Sequence, residues 1–207
     1  MEIPAFYPII DTQVLAQAGL TAVEMARAIA RAQVSLVQFR HKGVYTREVL
    51  AQAEEVGKIV RQSGARYIID DRADIALMLA ADGVHVGQDD LPPARVRALV
   101  GEGMIVGFST HNEQQLRDGD KEPVDYLALG PIFGTPSKQN PDPVVGTAEM
   151  ARLRTFTKKP LVAIGGITRA NAREVLAAGA NSLAVISDAV APYLDARLAE
   201  WISLTGG

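Results

Sequence analysis

The stretch YLALGPIFGTPSK, residues 126–138, runs from consecutive apolar residues into glycine, proline, two hydroxyl side chains and a lysine. Two further segments, LVAIG at 161–165 and SLAVIS at 182–187, are also apolar at successive positions rather than at alternate ones. Strands that are apolar on both faces are typical of parallel sheets with helices packed on their faces. These stretches therefore predict a parallel α/β fold.

Runs of this kind alternate with alanine-rich segments of helical period. In 46–62, for example, Val49, Ala53, Val56 and Val60 fall on one helical face. Because parallel strands need crossover helices, eight such units in 207 residues predict one domain, 1–207, folded as a (β/α)8 TIM barrel. An open doubly wound sheet is the alternative, although no GxGxxG follows the first run. The runs lie at 6–11, 35–40, 66–70, 83–86, 105–109, 126–130, 161–165 and 182–187.

Composition narrows the function classes. The formal net charge is −3 without a basic block, so we expect no nucleic-acid partner. The absence of cysteine removes disulfide and thiolate chemistry and fits a reducing compartment. The N-terminus lacks the pattern of a signal peptide, and no apolar run has the length of a membrane span. We expect a soluble, cytoplasmic protein with no membrane partner, and a homo-oligomer is a state that the sequence allows.

Cations follow the second run. Gln38, Arg40 and Lys42 alternate along it, so they should point to one side, with Val37 and Phe39 on the other. Two cations and an amide aimed at one point suit a polyanion such as a diphosphate. The alternative is a strand end with solvated charges.

Carboxylates follow the third and fourth runs. Asp70 and Asp71 end the third, and Asp90 follows the fourth, so these groups should meet at one rim of the barrel. Magnesium in proteins typically takes one or two carboxylates, waters and substrate phosphates. Helix capping by Asp71 and Asp90 is the alternative. His85, inside the fourth run, is more often a hydrogen-bonded core residue than a base at such a position.

Small residues and hydroxyls follow the last three runs. Thr135, Ser137 and Lys138 come after the sixth, Gly165-Gly166 after the seventh, and Ile186-Ser187 after the eighth. Loops after strands seven and eight, with a helix N-terminus, form a recurrent phosphate site in TIM barrels. We expect that helix to span 168–178 with an N-cap at its first residue, and a last helix over about 188–204. Plain tight turns are the alternative.

The ordered set of motifs resembles thiamine phosphate synthase over nearly the whole chain. The motifs are QFRHK (38–42), DDRAD (70–74), GVHVGQDDLP (83–92), GFSTH (107–111), DYLALGPIFGTPSK (125–138), VAIGGI (162–167) and AVIS (184–187). The resemblance implies a transferase that joins a hydroxymethylpyrimidine diphosphate to a thiazole phosphate. The products would be thiamine phosphate and pyrophosphate, and the cofactor Mg²⁺.

The resemblance also implies a role for individual residues. Those assigned to the pyrimidine diphosphate are Gln38, Arg40, Lys42, Ser109 and Lys138, of which Arg40, Lys42 and Lys138 would be catalytic through the leaving group. Asp71 and Asp90 match the magnesium ligands. The thiazole phosphate site would comprise Thr135, Ser137, Gly166, Ile186 and Ser187. Asp70 would contact the pyrimidine and is a departure, because the family usually has asparagine there, which both donates and accepts hydrogen bonds.

Two other functions remain open on the sequence. One is a related barrel, a thiazole tautomerase, which transfers a proton and needs neither paired aspartates nor the cations of 38–42. The other is a non-catalytic barrel that binds thiamine phosphates. Magnesium dependence separates the synthase from both.

Overall fold

The computed structural model describes residues 2–134 and 142–206. Within them, parallel strands form a closed barrel in the order β1 to β8. The strands are β1 (Phe6–Asp11), β2 (Leu36–Arg40), β3 (Arg66–Asp70), β4 (Gly83–Val86), β5 (Ile105–Thr110), β6 (Tyr126–Leu129), β7 (Leu161–Ile164) and β8 (Ser182–Val185). The predicted sites at Thr135, Ser137 and Lys138 lie outside the described residues.

Helices follow the strands on the outside of the barrel, and the last of them comes after β8. They are α1 (Thr12–Gln17), α2 (Ala22–Arg31), α3 (Arg47–Gln62), α4 (Ala73–Met78), α5 (Pro93–Val100), α6 (Glu113–Lys121), α7 (Thr147–Leu153), α8 (Ala172–Ala177) and α9 (Leu194–Thr205). Among the described residues, no helix is both long enough and apolar enough to cross a membrane.

Pairing of the first strand with the last closes the sheet. In the β1–β8 pair, Phe6 lies opposite Leu183, and Tyr7 lies opposite Ala184. An open doubly wound sheet leaves these two strands unpaired, so the alternative is excluded and the predicted TIM barrel is confirmed.

Strand alternation divides the buried residues into two cores. Tyr7 and Ile9 point into the barrel, where they pack with residues such as Ile68 and Tyr126. The remaining strand positions pack outward against the helices and form the larger core. A barrel interior filled by side chains leaves room for a ligand only at its rim.

Two predicted helix starts are wrong. The helix after β7 begins at Ala172 and not at Thr168, because Asn171 holds the preceding turn closed by accepting from the Thr168 N–H and donating to the Gly166 carbonyl. The last helix begins at Leu194, preceded by a short 3-10 turn at 187–189. Pro192 accounts for that break, since the residue before a proline avoids the helical conformation.

The C-terminal helix is anchored by an aromatic stack. Trp201 on α9 is fully buried and stacks on Phe6 of β1, with ring centroids 5.2 Å apart and planes 4° from parallel. Such offset or stacked pairs add to the burial of apolar area. The stack therefore fastens α9 to the seam between β1 and β8.

We predict that Trp201→Ala lowers the free energy of unfolding by about 3–5 kcal/mol, the usual cost of truncating a buried aromatic side chain. Urea unfolding followed by circular dichroism measures it. Tyr193→Ala is the matched control, because Tyr193 is 81% exposed, and it should change the value by no more than about 0.5 kcal/mol. Equal losses in the two variants would contradict this account of the helix.

Candidate active site

A cavity of about 670 Å³ opens at the C-terminal ends of the strands. It brings together every predicted site residue that the structure describes. These are Gln38, Arg40, Lys42, Asp70, Asp71, Asp90, Ser109, Gly166, Ile186 and Ser187. Residues from six strand ends thus share one cavity.

The cations of the cavity are each held by carboxylates. Arg40 pairs with Asp11, and its Nε lies 3.5 Å from Asp70 Oδ2. The Lys42 ammonium lies 3.1 Å from Asp70 and contacts Asp71. Burial lowers the pKa of Lys42, but attraction to Asp70 and Asp71 outweighs burial and raises the pKa above its ordinary value. Both cations are therefore charged and oriented before any anion arrives.

Asp11 contributes to this part of the site although the sequence analysis assigned it no role. It is 3% exposed, accepts from the N–H groups of Gln13 and Val14 at the start of α1, and pairs with Arg40. One carboxylate thus fixes the β1–α1 turn and the Arg40 guanidinium together. The sequence contains a pattern that could have identified Asp11, since the first apolar run ends in this residue just as other runs end in polar residues.

Asp70 is a buried carboxylate. Burial first, and the charge of Asp71 second, raise its pKa to about 6, although Lys42 and Arg40 act in the opposite direction. Among the described residues, its Oδ2 atom has no hydrogen bond of good geometry, even though the Lys42 ammonium is within 3.1 Å. An ammonium group that is close but poorly aligned stabilises the carboxylate charge less than a well-aligned hydrogen bond does.

Asp71 and Asp90 lie close together at the rim, and neither caps a helix. Asp71 has a left-handed backbone with φ of 60°, and Arg72 occupies the N-cap position of α4. Asp90 Oδ2 accepts from the Gly87 N–H at 2.7 Å, and Pro92 precedes α5. Burial raises the pKa of Asp90, the Gly87 bond lowers it, and the charge of Asp71 raises it further. The capping alternative therefore does not account for these residues.

The opposite side of the cavity is lined by glycine. Gly165 and Gly166 have φ of 95° and 64°, a region that favours glycine, and a Cβ at Gly166 would lie 2.6 Å from the Gly134 carbonyl oxygen. Next to them, Asp188 accepts from the backbone N–H and the guanidinium of Arg169, which ties the β7 and β8 loops together. Because glycine has no side chain, the backbone N–H groups of such a fixed loop can be approached closely by an anion.

The floor of the cavity is made by buried polar side chains. Tyr7 and Tyr126 from opposite sides of the barrel hydrogen-bond to each other, and His85 bonds to both Tyr126 and Ser109. Burial lowers the pKa of His85 to about 4, so its ring is neutral near pH 7. Burial also raises the pKa values of Tyr7 and Tyr126, which keeps both protonated. Neither tyrosine was predicted from the sequence, because both lie inside apolar runs.

Fold and site together define a (β/α)8 barrel suited to phosphorylated small molecules, with a cationic side and a glycine-lined side. Residues 6–189 match the sequence profile of the thiamine monophosphate synthase family. The chain belongs to that family, and the resemblance noted in the sequence is confirmed.

Individual relatives agree with this assignment. The chain is 46% identical over 190 residues to thiamine-phosphate synthase of Koribacter versatilis, covering 91% of this chain and 90% of that protein. It is 40% identical over 182 residues to the enzyme of that name from Chloroflexus aurantiacus, covering 86% and 84%. Among solved structures, thiamine phosphate pyrophosphorylase from Pyrococcus furiosus superimposes with a TM-score of 0.86 at 30% identity, covering 98% and 95% of the two chains. A 3-hexulose-6-phosphate synthase, at 15% identity and a TM-score of 0.69, shares the fold alone.

We predict that Asp70→Asn stabilises the metal-free protein increasingly as pH rises from 4 to 7. The pKa of Asp70 is raised on folding. The contribution of Asp70 to the free energy of unfolding is therefore fully present below the unfolded pKa near 3.8 and is lost as pH rises through about 6. The difference at pH 7 should be on the order of 3 kcal/mol. Urea unfolding across this pH range, with a chelator present, measures it.

Asp74→Asn is the control of opposite sign. The hydrogen bond from Arg72 lowers the pKa of Asp74, so its carboxylate stabilises the fold above the unfolded value. That variant should become relatively less stable as pH rises. If Asp70→Asn showed the same trend as Asp74→Asn, the assignment of Asp70 as a destabilising buried charge would be wrong.

Proposed function

We propose that this protein joins a hydroxymethylpyrimidine diphosphate to a thiazole phosphate, forming thiamine phosphate and releasing pyrophosphate. The observation that carries the proposal is the division of one cavity into a cationic side with paired aspartates and a glycine-lined side. Two reactants with phosphate groups of different charge need such a division. Membership of the thiamine monophosphate synthase family supports the same activity.

The two sides of the cavity support a separate place for each reactant. The pyrimidine diphosphate would bind Gln38, Arg40, Lys42 and Ser109, with Asp70 facing the pyrimidine. The thiazole phosphate would bind at Gly166, Ile186 and Ser187. Thr135, Ser137 and Lys138 complete this proposal, as the sequence predicts, from outside the described residues.

The donor set at the rim fits Mg²⁺. Asp71 and Asp90 are close enough for the charge of Asp71 to raise the pKa of Asp90, a repulsion that a cation relieves. No cluster of three or more acidic, histidine or cysteine ligands exists in the described part of the chain. Two carboxylates with waters and substrate phosphates are a usual magnesium arrangement. Magnesium held there would supply charge neutralisation for the departing pyrophosphate.

The reaction itself asks little acid–base chemistry of the protein. The C–O bond between the pyrimidine methylene carbon and the diphosphate breaks, and a C–N bond to the thiazole nitrogen forms, with no proton to remove. Arg40 and Lys42 would stabilise the negative charge that develops on the leaving group. The cavity walls would hold the two reactants face to face and replace the random encounter of two molecules.

Neither alternative has an observation in its favour. A tautomerase, which transfers a proton, would not need the paired Asp71 and Asp90. A barrel that only binds thiamine phosphates would not need these two carboxylates close together. Cytoplasmic location, single-domain organisation over 1–207 and oligomeric state stay predictions from the sequence.

The direct experiment mixes the purified protein with both substrates and Mg²⁺ and follows thiamine phosphate and pyrophosphate. Equal amounts of the two products, abolished by a chelator and restored by excess Mg²⁺, are expected. Thiazole isomerisation alone would support the tautomerase, and binding without turnover the non-catalytic barrel. Either result would refute the synthase proposal.

We predict that Asp90→Asn lowers kcat about 10²- to 10³-fold, the loss typical of removing one electrostatic contact to a transition state. Asp71→Asn should behave alike, because the two carboxylates would share one ion. Steady-state assays at several Mg²⁺ concentrations measure both variants. Asp118→Asn on the exposed face of α6 is the charge-matched control and should keep wild-type turnover; near-normal activity of both rim variants would argue against a metal at this position.

A further inference from the structure

Five side chains from five strands form one hydrogen-bonded chain through the barrel interior. Gln38 Nε2 donates to Tyr7 Oη at 3.2 Å, and Tyr7 Oη lies 3.1 Å from Tyr126 Oη. Tyr126 Oη lies 2.9 Å from His85 Nδ1, and His85 Nε2 lies 2.8 Å from Ser109 Oγ. This series of hydrogen bonds begins at the cationic side of the cavity and ends at Ser109, on the cavity wall.

The proton positions along this chain follow from its first member. An amide nitrogen only donates, so Tyr7 accepts from Gln38. Tyr126 is then the only partner among the described residues that can take the Tyr7 proton, since Tyr7 is 1% exposed. The opposite direction would leave a buried hydroxyl proton without an acceptor, which is costly.

The direction at Tyr126 fixes the tautomer of His85. Because Tyr126 accepts from Tyr7, its own proton goes to His85 Nδ1. The neutral ring then carries its proton on Nε2 and donates to Ser109 Oγ. Within the described residues His85 is the only hydrogen-bond partner of that oxygen. The Ser109 proton is thereby directed to whatever faces Ser109 in the cavity.

The Tyr126–His85 hydrogen bond leaves no room for a side chain at position 107, which is glycine. A Cβ at this β5 position would lie 2.4 Å from Tyr126 Oη and 2.5 Å from His85 Nδ1. The backbone of Gly107 is outside the left-handed region, so its conformation does not call for glycine. The space that a side chain would need is occupied by the hydrogen bond itself.

We propose that Tyr7 and Tyr126 are positioning residues that fix the Nε2–H tautomer of His85 and so present the Ser109 hydroxyl as a hydrogen-bond donor to a substrate phosphate oxygen. The proposal rests on the proposed function insofar as Ser109 contacts the diphosphate. It gives these buried tyrosines a role in orientation rather than in proton transfer. A donor at Ser109 attracts an anion, whereas an outward lone pair would repel it.

The tautomer can be measured without any turnover. In ¹⁵N-histidine-labelled protein near pH 7, the nitrogen spectrum should show His85 protonated on Nε2 and bare on Nδ1. The signal is assigned by its loss in His85→Gln. Tyr126→Phe removes the donor to Nδ1, and a mixture of tautomers should appear. A wild-type ring protonated on Nδ1 would overturn the proposal, even if the protein proves to have a different activity.

A double-mutant cycle tests the connection to Ser109. Tyr126→Phe should lower kcat about 3- to 10-fold, the range expected for one hydrogen bond. In a Ser109→Ala background the same change should have almost no further effect, because the hydroxyl that it orients is gone. Additive losses would contradict the proposal. An inactive wild type would instead refute the proposed function and leave the tautomer measurement standing.

Tyr67→Phe is the matched control for loss of a buried hydroxyl. Tyr67 is fully buried and donates to the Ala53 carbonyl at 2.8 Å, between β3 and α3 and away from the barrel interior. This variant should keep wild-type kcat and KM and an unchanged His85 spectrum. An equal fall in kcat for Tyr67→Phe and Tyr126→Phe would mean that general packing, and not orientation of Ser109, explains the effect.

Discussion

Pairing between β1 and β8 closes the barrel, and the common rim with its cavity follows from that closure. Because all strands are parallel and the sheet is closed, every strand delivers its C-terminal end to one rim. Residues as distant in the chain as Arg40 and Ser187 therefore line one cavity. The same closure brings Tyr7 to Tyr126, 119 residues away. Stacking of Phe6 on Trp201 covers the seam from outside.

The cations at the rim are paired with carboxylates before substrate binds. Arg40 lies between Asp11 and Asp70, and Lys42 between Asp70 and Asp71. Buried charges are tolerated when they are paired. At Asp70, burial and the charge of Asp71 outweigh the two cations, so its pKa is raised. In the proposed function, an incoming diphosphate would meet cations that are already oriented, which would reduce the reorganisation needed during the reaction. In the proposed function, the oriented cations and the hydrogen-bonded tyrosines beneath them would both position an anion.

The spacing of residues along the chain correctly predicted those features of the site that are set within a single strand. Alternation placed Gln38, Arg40 and Lys42 on one side, and the polar strand ends identified the rim correctly. Thr168 was wrong as a cap because a side chain three residues later, Asn171, closes the turn instead. Tyr126 escaped notice because nothing in an apolar run reveals that its hydroxyl meets partners from other strands. Such contacts depend on barrel closure and register, which periodicity does not specify.

In the proposed function, two halves of one cavity bind two different phosphorylated reactants. Calorimetric titration of pyrophosphate with Mg²⁺, and separately of thiazole phosphate, into Arg40→Ala and Gly166→Ala tests it most directly. Arg40→Ala should lose pyrophosphate binding and keep thiazole phosphate binding. Gly166→Ala should do the reverse, since a Cβ there collides with Gly134. Loss of both ligands in either folded variant would contradict a divided site.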